Sequence, residues 1–177
     1  VALAVGIGTT VITLERDGAP ILPVKTPTTA QSSEAAVPTA YVAGVADLKK
    51  LNDMTDYDVK AGSFAKADTD GVAMSTHLMS KLGLHMGDKV TLNFAREGVK
   101  ATATIGARYE FRLFGDVYIA ERTARAAGIP IAYTFGYVNL EPGVAEAPVQ
   151  KKLQASVREL APSAKVSSLK QFKQQQA

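Results

Sequence analysis

The sequence predicts an α+β fold in which short helices are interspersed among mainly antiparallel strands. Residues 90–94 and 99–105 alternate apolar and polar side chains, and the glycine-bearing turn 96–98 joins them into a hairpin. Apolar residues recur at helical spacing in 76–82 and 149–160, between and after the predicted strands. We therefore expect a mixed sheet with helices rather than a doubly wound parallel sheet.

The first third of the chain is expected to form strands separated by a loop. Residues 16–18 signal a tight turn, which makes a hairpin of the flanking β-branched segments. Residues 25–38 are small, polar and contain proline, so they predict a loop or linker. The expected elements are strands at 11–14, 21–24 and 41–45 and a helical turn at 47–51.

The pattern is sharpest from Gly71 onward. Residues 71–74 predict a short apolar strand. Ser75 is a good N-cap because its hydroxyl can accept from the free amides of a first helical turn. Gly83 stands where a helix that ends in the left-handed conformation needs glycine. The sequence therefore predicts a helix over 76–82.

The last third predicts further short strands and two helices. Pro148 fits the first turn of an amphipathic helix, and Pro162 ends it. Its apolar positions are Val149, Leu153, Val157 and Leu160. The other expected elements are a strand at 117–119, a helix at 120–127, a strand-like run at 131–140, a short strand at Val166 and a final helix with Leu169 and Phe172.

Length and composition indicate a folded globular protein. The 177 residues are 46% hydrophobic and 21% charged, and the formal charge is +3, which argues against disorder. The basic residues are scattered and tryptophan is absent, so we expect no nucleic-acid binding. The absence of cysteine excludes disulfides and thiolate chemistry. No apolar run reaches the roughly 20 residues of a membrane span.

No motif predicts catalysis, a cofactor or a metal. Residues 6–8 read Gly-Ile-Gly, but no helix start follows, so we interpret them as strand rather than a dinucleotide-binding turn. Residues 68–71 resemble part of a calcium loop, yet Lys66 occupies the first ligand position. His77 and His85 lack a third ligand. We therefore expect no enzyme activity, no cofactor and no metal.

One segment predicts a contact surface for a partner or a substrate. Aromatic residues and arginine, which dominate binding hot spots, lie close together in it. The alternative is that this crossing segment packs between two lobes of the fold. The candidate contact residues are Tyr109, Phe111, Arg112, Leu113 and Phe114.

The strand at 71–75 ends in serine, a short helix follows, and residues 82–92 read LGLHMGDKVTL. This pattern resembles the extracytoplasmic domain of MacB/FtsX-type ABC transporter permeases, in which L-G-L-x-x-G-D-x-V-x-L precedes a hairpin. Residues 42–45 and 61–64 look like an earlier strand and turn of that family. The resemblance extends over about 40–177 and is most specific in 71–92.

The resemblance implies a two-lobed MacB-like periplasmic core. Residues 1–55 and 114–177 would form a discontinuous α+β lobe near the membrane, and residues 56–113 a small inserted β-rich lobe. It also implies membrane helices before Val1 and after Ala177, so that the chain, which does not begin with Met, would be a fragment.

The function implied is that of a cell-membrane protein domain on the extracytoplasmic side. A permease dimer would couple ATP hydrolysis by a cytoplasmic ABC ATPase to export of a lipid, lipoprotein, peptide or antibiotic, a coupling called mechanotransmission. Two alternatives stay open: a signalling domain that activates an extracytoplasmic partner such as a cell-wall hydrolase, and a free-standing secreted binding protein or enzyme. A large apolar groove would favour substrate handling, whereas a flat aromatic patch near 109–114 would favour a protein partner.

Overall fold

The computed structural model describes residues 3–24, 38–55, 57–110, 115–168 and 170–171. The chain divides into two units, Leu3–Val138 and Val1–Ala2 with Asn139–Ala177. The described elements are β1 (Leu3–Arg16), β2 (Ala19–Pro20), β3 (Ala40–Ala46), α1 (Leu48–Met54), β4 (Val59–Gly62), α2 (Phe64–Asp70), β5 (Gly71–Ser75), α3 (Thr76–Leu82), β6 (Lys89–Phe94), β7 (Val99–Tyr109), β8 (Val117–Ala120), α4 (Glu121–Ala126), β9 (Tyr133–Asn139) and α5 (Glu146–Leu160).

Six strands of the larger unit pair in a closed cycle. In order around the cycle they are β1, β3, β8, β5, β7 and β6, and β6 pairs again with β1. The β3–β8 and β5–β7 pairs are parallel and the other four are antiparallel. Strands β2 and β9 attach to β1, and β4 attaches to β7. The predicted mixed sheet with helices is confirmed.

The two faces of the paired strands carry separate hydrophobic cores. Every strand of the cycle contributes to the larger core, together with Leu78, Met79 and Leu82 of α3. The second core joins the opposite faces of β1, β3, β5, β7 and β8 to helices α1 and α2. Strands β5 and β8 are buried along their whole length because both of their faces are covered.

The junction between β5 and α3 forms as the sequence predicts. The Ser75 hydroxyl accepts a hydrogen bond from the Leu78 amide at 3.1 Å, and Gly83 ends the helix with φ 62° and ψ 36°. The structure adds a contact that the local sequence does not show. Ser75 Oγ donates to Asp116 Oδ1, and the Ser75 amide donates to the Asp116 carbonyl at 2.9 Å. This serine therefore fastens the start of α3 to the start of β8.

The Gly-Ile-Gly segment at 6–8 lies within β1, which confirms its interpretation as strand. A Cβ on Gly6 would lie 2.6 Å from the Tyr133 ring, and one on Gly8 would lie 2.8 Å from Ile131 Cγ2. A Cβ at either distance would overlap its neighbour, so glycine at these two positions allows β1 to pack closely against Tyr133 and Ile131. The two glycines of the Gly-Ile-Gly segment are therefore explained by the close approach of residues 131–133 to β1, and not by a nucleotide-binding turn.

Other local predictions are confirmed with shifted boundaries, and some are wrong. The hairpin at 90–105, the strands at 41–45 and 117–119 and the helical turn at 47–51 all form. The second strand of the first hairpin is Ala19–Pro20 rather than 21–24. Helix α2 was not anticipated, because its only large apolar residue is Phe64. Residues 25–37, Leu169 and Phe172 lie outside the described residues.

The smaller unit contains the amphipathic helix predicted at 149–160, which is α5. Two glutamine side chains of α5 hold the segment that follows it. Gln154 Nε2 donates to the Ala164 carbonyl at 3.0 Å and Gln154 Oε1 accepts from the Val166 amide at 2.8 Å, while Gln150 Nε2 donates to the Val166 carbonyl at 3.0 Å. Val166 is therefore bound by side-chain amides, and the prediction of a strand there is wrong.

The strands of the predicted inserted lobe pair with strands from the rest of the larger unit. Strands β4, β5, β6 and β7 come from residues 56–113, yet they belong to the same sheet as β1, β3 and β8. They do so because β6 pairs with β1 and the apolar face of the β6–β7 hairpin enters the common core. The division into a lobe of residues 1–55 and 114–177 near the membrane and an inserted lobe of residues 56–113 stays a prediction.

None of the helices in the described part of the chain has the length and apolar character needed to cross a bilayer.

Replacing Ser75 with alanine should destabilise the larger unit by about 1–3 kcal/mol, because both the N-cap of α3 and the hydrogen bond to Asp116 are lost. Urea unfolding followed by circular dichroism measures this change. Ser80→Ala, on the exposed side of the same helix, is the matched control and should change stability by less than about 0.5 kcal/mol. Equal effects of the two substitutions would contradict the assignment.

Candidate functional site

The structure places Tyr109 in the core rather than on a surface. Its side chain is 0% exposed, and its hydroxyl donates to the Gly115 carbonyl at 3.0 Å. It cannot contact a partner in this fold, because β7 turns it onto the face that α2 covers. The other predicted contact residues, Phe111, Arg112, Leu113 and Phe114, lie outside the described residues.

Tyr109 belongs to an aromatic cluster that fastens α2 to the sheet. The ring of Tyr57 stacks on Phe64 with centroids 5.0 Å apart and meets Tyr109 edge-on at 5.5 Å. The hydroxyls of Tyr57 and Tyr118 lie 2.8 Å apart and share a hydrogen bond. Burial raises the pKa values of Tyr57, Tyr109, Tyr118 and Tyr137 above the ordinary range for tyrosine.

A different place in the larger unit forms a cleft of about 400 Å³. The start of β1, the first turn of α1, the end of α2, helix α4 and the start of β9 surround it. Its lining residues are Ala4, Val5, Gly6, Asp47, Lys50, Asp68, Glu121, Arg122, Arg125 and Tyr133.

The carboxylates of the cleft already accept hydrogen bonds from the protein. Asp68 accepts from the Leu48 amide and from Arg122 Nη2, each at 3.0 Å, which links α1, α2 and α4. Glu121 Oε1 accepts from Nε of Arg125 and lies 2.7 Å from Nη2 of the same guanidinium. These acids are therefore used to position the two arginines.

A third pair lies at the N-terminus of α1. Asp47 caps the helix by accepting from the Lys50 amide at 2.9 Å, and Lys50 Nζ lies 3.3 Å from the same carboxylate. Across the cleft, Arg125 Nη2 also donates to the Tyr133 hydroxyl at 3.3 Å, so α4 fixes the orientation of this ring. Tyr133 itself lies against Gly6 of β1.

The cleft presents its cations outward and its acids inward. The acidic side chains of its three ion pairs are between 15% and 34% exposed, whereas the basic ones are between 52% and 64% exposed. Solvent and ligands therefore meet guanidinium and ammonium groups first, although the pairs are balanced in charge.

The sequence offered little sign of this cleft. Its charged residues are spread from Asp47 to Arg125 along the sequence, and only the fold brings them together. The local signals are the spacings of Glu121 and Arg125 and of Asp47 and Lys50, since residues three or four apart can form an ion pair at a helix. Of the other candidates, His77 is exposed, His85 is 85% exposed, and no group of metal-ligating side chains in the described ranges could hold an ion.

Strand β9 is a second exposed feature of this unit. Among the described strands it pairs with β1 alone, and Tyr133, Phe135 and Val138 are exposed. No charged residue occurs in 126–138. Natural edge strands usually carry charges that prevent pairing with other chains, and this one carries none.

This architecture occurs in solved structures. The extracellular domain of the ABC-type transporter YknZ from Gram-positive bacteria superimposes with a TM-score of 0.60 at 11% identity, over 94% of this chain and 79% of that one. The two chains share this fold over nearly the whole length of the present sequence. A domain of a protein assigned as a permease from Porphyromonas gingivalis matches with a TM-score of 0.51 at 17% identity, over 98% of this chain and 68% of that one.

The likeness in fold that the resemblance at 71–92 implies is thereby confirmed, whereas the two-lobed, MacB-like form of the domain stays a prediction. At such identities the likeness concerns the fold, and no residue role passes from those proteins to this chain. No protein-family model matches the sequence, and no curated protein matches it.

The buried tyrosines predict loss of stability at alkaline pH. Their pKa values are raised in the folded state, so their contribution is fully present below the unfolded value of about 10 and is lost as pH rises above it. An alkaline titration should show tyrosinate absorbance rising together with loss of near-ultraviolet circular dichroism. In Tyr109→Phe, stability should fall less steeply above pH 10, by up to about 1.4 kcal/mol per pH unit. Full tyrosine ionisation with an unchanged spectrum would refute this expectation.

Proposed function

We propose that this chain is the extracytoplasmic domain of an FtsX-like, MacB-like ABC transporter permease. It couples ATP hydrolysis by a cytoplasmic ATPase to substrate export by mechanotransmission. The observation that carries the proposal is the fold shared with the extracellular domain of an ABC-type transporter over 94% of this chain. The segment from β5 through Ser75 and α3 to Gly83 also supports the proposal, because the sequence resembles the family in this segment.

The larger unit is built in a way that would allow it to transmit a displacement from one element to another. Because each strand of the cycle is paired on both sides, one strand cannot easily slide past its neighbour. The two hydrophobic cores are packed and therefore resist compression. A displacement applied to one element of such a unit moves the other elements with it. We therefore expect residues 3–138 to move as one body during the ATPase cycle.

Spin labels test this expectation in the full-length permease with its ATPase. The sequence given has no cysteine, so Thr102→Cys introduces one reactive site into this domain of each copy. The distance between the Thr102 labels of two copies should change by several ångströms when ATP binds, as measured by pulsed electron spin resonance.

The control pair lies within one copy. Thr102 of β7 and Lys49 of α1 are both exposed and belong to the same unit, so labels at these two positions should keep their distance. If the distance between the Thr102 labels of the two copies stays the same when ATP binds, coupling through this domain is overturned. A changing intra-copy distance would overturn rigid-body motion.

A second function is favoured by strand β9. An uncharged, exposed strand with aromatic residues is suited to pairing with an extended segment of another protein. In this alternative the domain passes ATPase motion to an extracytoplasmic partner, such as a cell-wall hydrolase, and moves no substrate. ATP-dependent label motion without transport of any substrate across the membrane would favour it over export.

A further inference from the structure

We propose that the cleft between α1, α4 and β9 binds a small ligand that carries an anionic group, carboxylate or phosphate, beside an apolar body. The proposal concerns a binding site of this chain alone. It holds whether or not the chain acts in a transporter, so its failure and the failure of the proposed function are separate results.

The anionic group is indicated by the donors that the cleft leaves available. A guanidinium has five N–H donors, and among the described contacts Arg122 uses one of them, toward Asp68. Arg125 is held by Glu121 and reaches across to Tyr133. Both arginines therefore have defined partners within the protein and keep N–H donors that no described contact uses.

A guanidinium donates charge-assisted hydrogen bonds to carboxylate and phosphate, and these are stronger than hydrogen bonds between neutral groups. A cationic ligand would have to reach carboxylates that are only 15% to 34% exposed. The Asp68 and Glu121 carboxylates already accept from arginine, and Asp47 caps α1. Selectivity for an anion thus follows from which members of the three pairs are exposed.

The apolar body is indicated by the opposite wall of the cleft. Ala4, Val5 and Gly6 of β1 line it with aliphatic side chains and backbone, and the ring of Tyr133 stands beside them. The ring is oriented from one side by Arg125 and packed from the other against Gly6. A volume of about 400 Å³ lies in the range of small-molecule sites, roughly 300–1,000 Å³.

Octanoate is the first probe, because it joins one carboxylate to a short apolar chain. Titrated into the 177-residue chain and followed by amide chemical shifts in NMR, it should give saturable shifts at α4 and at the start of β1. Octyl phosphate tests the other anion, and the tighter of the two identifies the preferred group. Octyltrimethylammonium and acetate lack the anion and the apolar body respectively, so both should bind at least fivefold more weakly.

Variants locate the site. Arg122→Gln and Arg125→Gln should each weaken octanoate binding by about five- to tenfold, because each removes the positive charge and leaves a shorter, neutral polar side chain. Arg96→Gln is the matched control, since this arginine is exposed in the turn between β6 and β7 and lines no part of the cleft. Thermal unfolding confirms that each variant is folded.

Three results would overturn the proposal. The first is no saturable shift with either anion up to about 100-fold molar excess. The second is equal binding of octyltrimethylammonium. The third is binding of octanoate that survives the double substitution of Arg122 and Arg125.

Discussion

Strand β1 determines the architecture of the larger unit, because it forms hydrogen-bonded pairs along both of its edges. At Thr13 its neighbour is Ala40 of β3 on one side and Asn93 of β6 on the other, which closes the cycle of strands. The Glu15 carboxylate reinforces this closure. It is 7% exposed and accepts from Asn93 Nδ2 at 3.1 Å and from Lys100 Nζ at 2.7 Å, so a buried charge receives the partners that it requires.

The functional features depend on the same strand. Its first residues pair with β9 and form the apolar wall of the cleft, while its later residues pair with β3 and thereby support β8 and α4. A displacement of β1 would therefore reach the arginines of α4 and the exposed strand β9 together. This connection is why coupling to an ATPase, binding of an anionic ligand and contact with a partner are compatible proposals for one domain.

The sequence predicted those parts of the fold that local chemistry specifies. The cap at Ser75, the left-handed Gly83 and the alternating hairpin at 90–105 are each determined by neighbouring residues, and they formed as expected. Closure of the strand cycle was not predicted, because the pairing of 13–15 with 91–93 joins distant segments. Tyr109 was considered for a contact surface because aromatic residues and arginine cluster around it in the sequence, whereas β7 extends as far as Tyr109 and strand alternation turns this side chain inward. The cleft was missed since its charges become neighbours only after α1, α2 and α4 are assembled.

The central claim is that this chain is the extracytoplasmic part of an ABC permease. The most direct test is to determine the full reading frame that encodes the chain. Sequencing the gene and its neighbours should reveal a membrane-spanning segment before Val1, further spans after Ala177 and an adjacent gene for an ATPase with a phosphate-binding loop. A cleavable signal peptide directly before Val1 and a stop codon directly after Ala177 would contradict the account. The chain would then be a free-standing secreted protein, and a binding function at the cleft would have to be explained without a transporter.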